Sequence, residues 1–161
     1  MIDPSAWTGF DDIQLQMSAM GFHHPLTSAF AFVNALNDPA QYAQALENLV
    51  TPESRDLWGD FIPVKEAYDS IPDPGYGSTI NQIPGASDVG YFKILPSVPD
   101  NYQAEQETEV QVAAYLTLVW RPEIGHEDNP GMWLVHQFGE MATLEELVGV
   151  RSSANDAPVF M

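Results

Sequence analysis

The chain has 161 residues, 45% of them apolar, and 23 Asp and Glu against five Lys and Arg, for a formal net charge of -18. That length suits one domain with a proper hydrophobic core, and the isolated cations Arg55, Lys65, Lys93, Arg121 and Arg151 cannot neutralise a nucleic-acid backbone or grip an anionic membrane surface. Cysteine is absent, which excludes disulfides, thiolate metal sites and a Cys nucleophile.

Residues 1–22 read as an N-terminal arm, residues 23–150 as a single domain and residues 151–161 as a flexible tail. The start Met1-Ile2-Asp3-Pro4 carries neither the basic residues nor the apolar run of a signal peptide. No stretch approaches the ~20 apolar residues of a membrane span, so a cytoplasmic location is expected.

The first firm helix is predicted from Pro25, a residue favoured in a first helical turn because its missing N–H is not needed there. Leu26, Phe30, Val33 and Leu36 give it one apolar face. Asp38-Pro39-Ala40-Gln41 restarts the pattern with an N-cap, a first-turn proline and a capping-box Gln, followed by the stripe Tyr42, Leu46, Leu49 and Val50. Thr51-Pro52-Glu53 repeats the device and leads to Leu57, Trp58 and Phe61. Pro63 opens a fourth stretch with Val64, Ala67, Tyr68 and Ile71, which Pro72 ends.

At Asp73-Pro74-Gly75 the period changes from helical to alternating. Strands are predicted over 76–83 and 89–95, with Pro84-Gly85-Ala86-Ser87 as the turn between them. Residues 96–109 read as a loop. The longest strand is expected over 110–120, a loop over 122–131 and a last strand over 132–138. Thr143-Leu144-Glu145-Glu146 is a capping box for a brief terminal helix.

Helices first and strands joined by short loops second read as an α+β fold, with helices packed on one face of a curved, mainly antiparallel sheet. Within 110–120, one face presents Val112, Ala114, Leu116, Leu118 and Trp120, and the other Ala113, Tyr115, Thr117 and Val119. A sheet apolar on both faces needs cover on both, so a homodimer through the outer face is expected.

The helical opening ending at Trp58 and Phe61, and the closing strand Gly131-Met132-Trp133-Leu134-Val135, give a layout over residues 24–140 that resembles the nuclear-transport-factor-2-like superfamily. That is the cone-shaped, cystatin-like fold shared with ketosteroid isomerase and scytalone dehydratase. The resemblance implies a pocket between sheet and helices and, often, a dimer through the outer sheet face. It implies no reaction, because the scaffold hosts enzymes and binding modules alike. Within such a cone, Trp58, Phe61, Tyr68, Tyr91, Tyr115, Trp133 and His136 are expected to line a mainly apolar pocket.

His136 is the one catalytic candidate, since Leu134 and Phe138 flank it on the same strand face and a buried imidazole can serve as a general base near neutral pH. His24 is a possible partner for it. Carboxylates are missing from the predicted strand interiors, so an isomerase-like base is not evident. His126-Glu127-Asp128 lacks metal-ligand spacing, and no nucleophile elbow, Walker motif or dinucleotide fingerprint occurs. No cofactor and no metal are expected. The favoured reading is a non-catalytic binding protein with a small apolar ligand or a protein partner. The alternatives are a cone-fold lyase, isomerase or hydrolase on a small apolar substrate, and an acidic inhibitor of a basic partner.

Overall fold

A computed structural model describes residues 21–72, 74–79, 86–96, 112–126 and 128–151. The arm before residue 21, the Pro84-Gly85 half of the first hairpin turn, most of the 96–109 loop and the tail from Ser152 lie outside the described residues.

The fold is α+β, with a four-stranded antiparallel sheet in the order β1-β2-β3-β4. Helices α1 (Pro25–Ala35), α2 (Ala43–Leu49), α3 (Arg55–Trp58) and α4 (Ile62–Asp69) precede strands β1 (Gly75–Thr79), β2 (Val89–Leu95), β3 (Ala114–His126) and β4 (Asn129–Gly139). Short 3-10 turns at Gly21–His23 and Pro52–Ser54 introduce α1 and α3. The change of period at residue 75 thus marks the boundary between helical and strand halves.

Each helix start has a local cause. His24 caps α1, its Nδ1 accepting from the Leu26 N–H at 3.2 Å, with Pro25 at the first helical position. Asp38 Oδ1 accepts from the Gln41 N–H at 3.3 Å, but the chain turns before α2 forms. Phe61 holds a left-handed backbone (φ 66°) ahead of α4. The buried stripes differ in detail from the expectation. On α1, Phe32 is fully buried and Phe30 only partly, while Leu57 of α3 points outward at 84% exposure.

The main core lies between the helices and one sheet face. Phe32, Leu36, Leu46, Trp58 and Phe61 meet Phe92, Ile94, Leu116, Leu118, Trp120, Trp133 and Val135 there. Each large side chain so buried contributes roughly 1.5–3 kcal/mol. The strand expected over 110–120 begins at Ala114, residues 110–111 lying outside the described residues, and its alternation is present from there, since Ala114, Leu116, Leu118 and Trp120 join this core.

The opposite face carries a second core of Val89, Tyr91 and Val119, covered by Ala142, Leu147 and Val150. Cover for that face therefore comes from the chain itself, where a second subunit was expected to supply it. Trp120 and Trp133 are buried inside the main core, not on an outer face. The covering segment is fastened at both ends. The Tyr91 hydroxyl donates to the Ala142 carbonyl at 2.7 Å and the Ala142 N–H donates to Thr117 Oγ1 at 3.0 Å. At its far end Arg151 grips the fully buried Asp88 through two bonds of 2.8 and 2.9 Å. The Thr143–Glu146 capping box closes reciprocally at 3.1 and 3.2 Å, yet residues 144–150 form successive turns and no helix.

The predicted loop over 122–131 is a correction. Strands β3 and β4 run on through it as a long hairpin, ending at His126 paired with Asn129. The stretch contains both proline and glycine, residues that commonly mark loops. Pro122 falls in the unpaired stretch between Arg121 and Gly125, and Pro130 lies on the edge strand, the two settings in which a sheet tolerates proline. No helix of the described residues is long and apolar enough to cross a membrane.

Candidate functional site

Two features stand out along the β4 edge, one on each side of a parallel bridge between Val50 and Val135. The first is a cavity of about 880 Å³, within the range that holds small ligands. Ala31, Asn34 and Ala35 of α1 form one wall, and Tyr42, Ala45, Asn48 and Leu49 at α2 form the other. Gly125, Gly131 and Met132 of the β3–β4 hairpin and Gly21, Phe22 and His23 complete the lining. The space exists because alanines and glycines occupy facing positions. Phe22 and Tyr42 are apolar, large and about two-fifths exposed at its rim. None of its described lining residues is charged.

Three buried polar side-chain atoms are unsatisfied, one of them on the lining residue His23. His23 Nε2, Thr27 Oγ1 and Trp120 Nε1 are buried without a hydrogen-bond partner, each a cost of about 1–3 kcal/mol in an otherwise paired interior. The His23 ring meets the Trp120 indole edge-on, centroids 5.1 Å apart. The His23 carbonyl accepts from Trp133 Nε1 at 3.1 Å, which fixes the backbone that carries the imidazole. Gly131 adopts φ 99°, and a Cβ there would fall 2.5 Å from Cη2 and Cζ2 of Trp120.

The second feature is centred on His136. In the β3–β4 ladder Thr117 faces Gln137 while Leu118 faces Val135, so His136 is the extra residue of a β-bulge, a device that re-aims a side chain. Its Nδ1 lies 2.7 Å from Thr51 Oγ1. The Thr51 hydroxyl donates to Ser54 Oγ at 2.8 Å, and the Ser54 hydroxyl donates to the Thr51 carbonyl at 3.0 Å. Trp58 Nε1 donates to the same Ser54 Oγ at 2.8 Å. With the Thr51 proton directed to Ser54, Nδ1 is the donor in the His136 bond and Nε2 carries the lone pair.

Burial holds the His136 imidazole below its ordinary value; Glu53 opposes this, Arg121 adds to it and Glu146 opposes it. Beside it, Arg121 pairs with Glu53 at 2.7 Å and with Glu123. Burial pushes the Glu53 carboxyl up, but the Arg121 hydrogen bond and charge outweigh it and leave it below the usual range. His24, the possible partner, caps α1.

Of the residues expected to line one pocket, Trp58, Phe61 and Trp133 are core side chains and Tyr68 packs at the core margin, its hydroxyl bonded to that of Tyr76. Tyr91 and Tyr115 belong to the opposite sheet face. His136 belongs to the bulge. None of the seven is among the described residues that line the cavity. The sequence offered one missed signal, the small residues Ala31, Ala35 and Ala45 at helical spacing on two consecutive helices. No group of three His, Asp or Glu able to share a metal occurs among the described residues.

Comparison with known proteins returned nothing: no family model, no curated protein and no solved structure matches the chain.

Proposed function

We propose that this protein binds a small, mainly apolar molecule in the cavity between α1, α2 and the β3–β4 hairpin. The observation that carries this reading is the cavity of about 880 Å³ with its alanine and glycine walls and its uncharged described lining. The order of elements, helices first and an antiparallel meander second, suits the same reading: a scaffold holding a ligand between helices and sheet, as in the cone-shaped fold.

Binding is favoured over catalysis because the one catalytic candidate, His136, is not among the described residues that line the cavity. His136 is oriented by Thr51 but sits four residues beyond Met132 on β4, about 13 Å along the strand.

Thermal shift with a library of small hydrophobic compounds tests the reading. A ligand at a hundred times its dissociation constant adds about 2.7 kcal/mol, a rise of roughly 5–10 °C for a chain of this size. Ala45 is exposed and lines the cavity, so Ala45→Trp fills the space without disturbing the core. The shift should vanish in that variant. Hits that persist in Ala45→Trp, or no hits with the unmodified protein, would refute the proposal.

A further inference from the structure

Resting on the cavity reading, we infer the class of ligand: a neutral apolar molecule that carries one primary amide or lactam group, paired with the side chain of Asn34. Asn34 of α1 and Asn48 of α2 both line the cavity, and both are exposed, so a bound molecule can reach them. Helical spacing sets the direction of their side chains. Ala31, Asn34 and Ala35 stand at i, i+3 and i+4 on α1, and Ala45, Asn48 and Leu49 stand at the same spacing on α2. Residues so spaced share one helix face, and here that face is the cavity wall in both helices. Each wall therefore presents one carboxamide among short or apolar side chains.

Neither carboxamide is used up by the fold. Asparagine is a weak helix former that favours caps and turns, where its side chain bonds the backbone. Asn34 and Asn48 sit in the last turns of their helices, yet neither side chain bonds the backbone of a described residue. Asn34 makes no side-chain hydrogen bond to a described residue at all. Its neighbours on the same face are alanines, which offer none, and Asp38 in the turn beyond is committed to the Gln41 N–H at 3.3 Å. Asn48 Oδ1 accepts from Gln44 Nε2 at 3.5 Å, a long and weak bond. Asn34 is thus the more available of the two.

The chemistry of the carboxamide selects the ligand group. It holds an acceptor C=O and a donor NH2 side by side in one plane. A primary amide or lactam offers the complementary pair, so the two close a ring of two hydrogen bonds. A ketone or an ester only accepts, and makes one. A carboxylate also only accepts, and it would enter a cavity with no cation in its described lining, on a chain of net charge -18. An ammonium would find no carboxylate in that lining. The apolar remainder of the ligand lies against Ala31, Ala35, Ala45 and Met132 of the cavity wall.

Three probes of one shape test this on the intact protein by calorimetry: 1-adamantanecarboxamide, 1-acetyladamantane and the 1-adamantanecarboxylate anion. They differ only in the NH2, CH3 or O⁻ on one carbonyl carbon. The carboxamide should bind about tenfold tighter than the ketone, and the carboxylate should bind weakest. Saturation with the carboxamide should move the side-chain NH2 resonances of Asn34, assigned by their loss in Asn34→Leu. That variant, at an exposed position, should erase the difference between carboxamide and ketone, and Asn34→Ala gives the same comparison should Asn34→Leu fail to fold. Equal affinity for carboxamide and ketone, a preference unchanged in the variant, a carboxylate as tight as the carboxamide, or unmoved Asn34 resonances would overturn this inference and leave the cavity reading standing. So would failure of all three cages to bind while the hydrophobic library gives hits that Ala45→Trp abolishes. No binding by the cages and no hit from the library would overturn both.

Discussion

The imidazole of His136 and the hydroxyl of Thr51 are 85 residues apart in sequence and 2.7 Å apart in the fold, joined because a β-bulge turns His136 toward the loop that leaves α2. The same loop donates its Thr51 N–H to the Val135 carbonyl at 2.9 Å, so backbone and side chain together tie the helical half of the chain to the edge strand of the sheet.

This network should behave as a unit. Thr51→Val removes the hydroxyl shared by His136 and Ser54, and Ser54→Ala leaves the Trp58 indole N–H without its acceptor. Each substitution should destabilise by about 1–3 kcal/mol. The double variant should lose clearly less than the sum, because the two side chains serve one another. Urea unfolding with an unchanged m-value is the measurement, and strictly additive losses would mean that the bonds act independently.

One buried and one half-buried histidine, His24 and His136, make stability fall on acidification. Burial lowers the pKa of both His24 and His136 below the ordinary 6.5. Between the folded values and about 6.5 the unfolded chain therefore binds more protons, and stability rises with pH. Their contribution is complete above pH 6.5 and is lost as pH falls through the folded values. His136→Gln and His24→Asn, the latter retaining a good N-cap, should each flatten this part of the profile. A profile unchanged in the double variant would assign the pH dependence to other groups.

Much of this architecture was legible in the sequence, for physical reasons that also mark where legibility stopped. The switch of hydrophobic period at Gly75 separates helices from strands because side-chain direction repeats every 3.6 residues in one and every two in the other. The two-sided alternation was equally plain, and it holds from Ala114 to Trp120, although the strand begins only at Ala114 and runs on to His126. What covers its second face was not, because Ala142, Leu147 and Val150 occupy turns without a period. Thr51 looked like a helix cap, but its hydroxyl is committed to Ser54 and His136, a choice made by a residue 85 positions away. The cavity was placed among aromatics, which pack; it lies instead where alanines and glycines leave space.

The Asp88–Arg151 pair should hold the outer cover in place. Asp88 is fully buried and Arg151 partly exposed. Arg151→Met leaves a carboxylate buried without its cation, a loss of up to about 3 kcal/mol. Adding Asp88→Asn should recover part of that loss, since the uncompensated charge goes with it. Hydrogen exchange gives the local readout, with amides of residues 147–151 exchanging faster in Arg151→Met than in the unmodified chain. Exchange there that matches the unmodified protein would show that Tyr91 and Thr117 alone secure the segment.

Two glycines of β4 separate backbone strain from steric collision. Gly131 has φ 99° and Gly139 has φ 123°, both in a region that side chains rarely adopt, so an alanine at either should cost about 1–3 kcal/mol in strain alone. Around Gly139 a Cβ meets nothing within 4 Å, whereas at Gly131 it meets the Trp120 ring at 2.5 Å. Gly131→Ala should therefore destabilise by a further increment of about 1–3 kcal/mol, the usual cost of overpacking a fixed ring. Trp120→Phe in the Gly131→Ala background removes the six-membered edge that collides and should return most of the increment, while leaving the strain. Thermal unfolding of the four proteins decides the matter. Equal losses for Gly131→Ala and Gly139→Ala would mean that the indole yields freely, and that the close approach of Trp120 to the hairpin does not fix its ring.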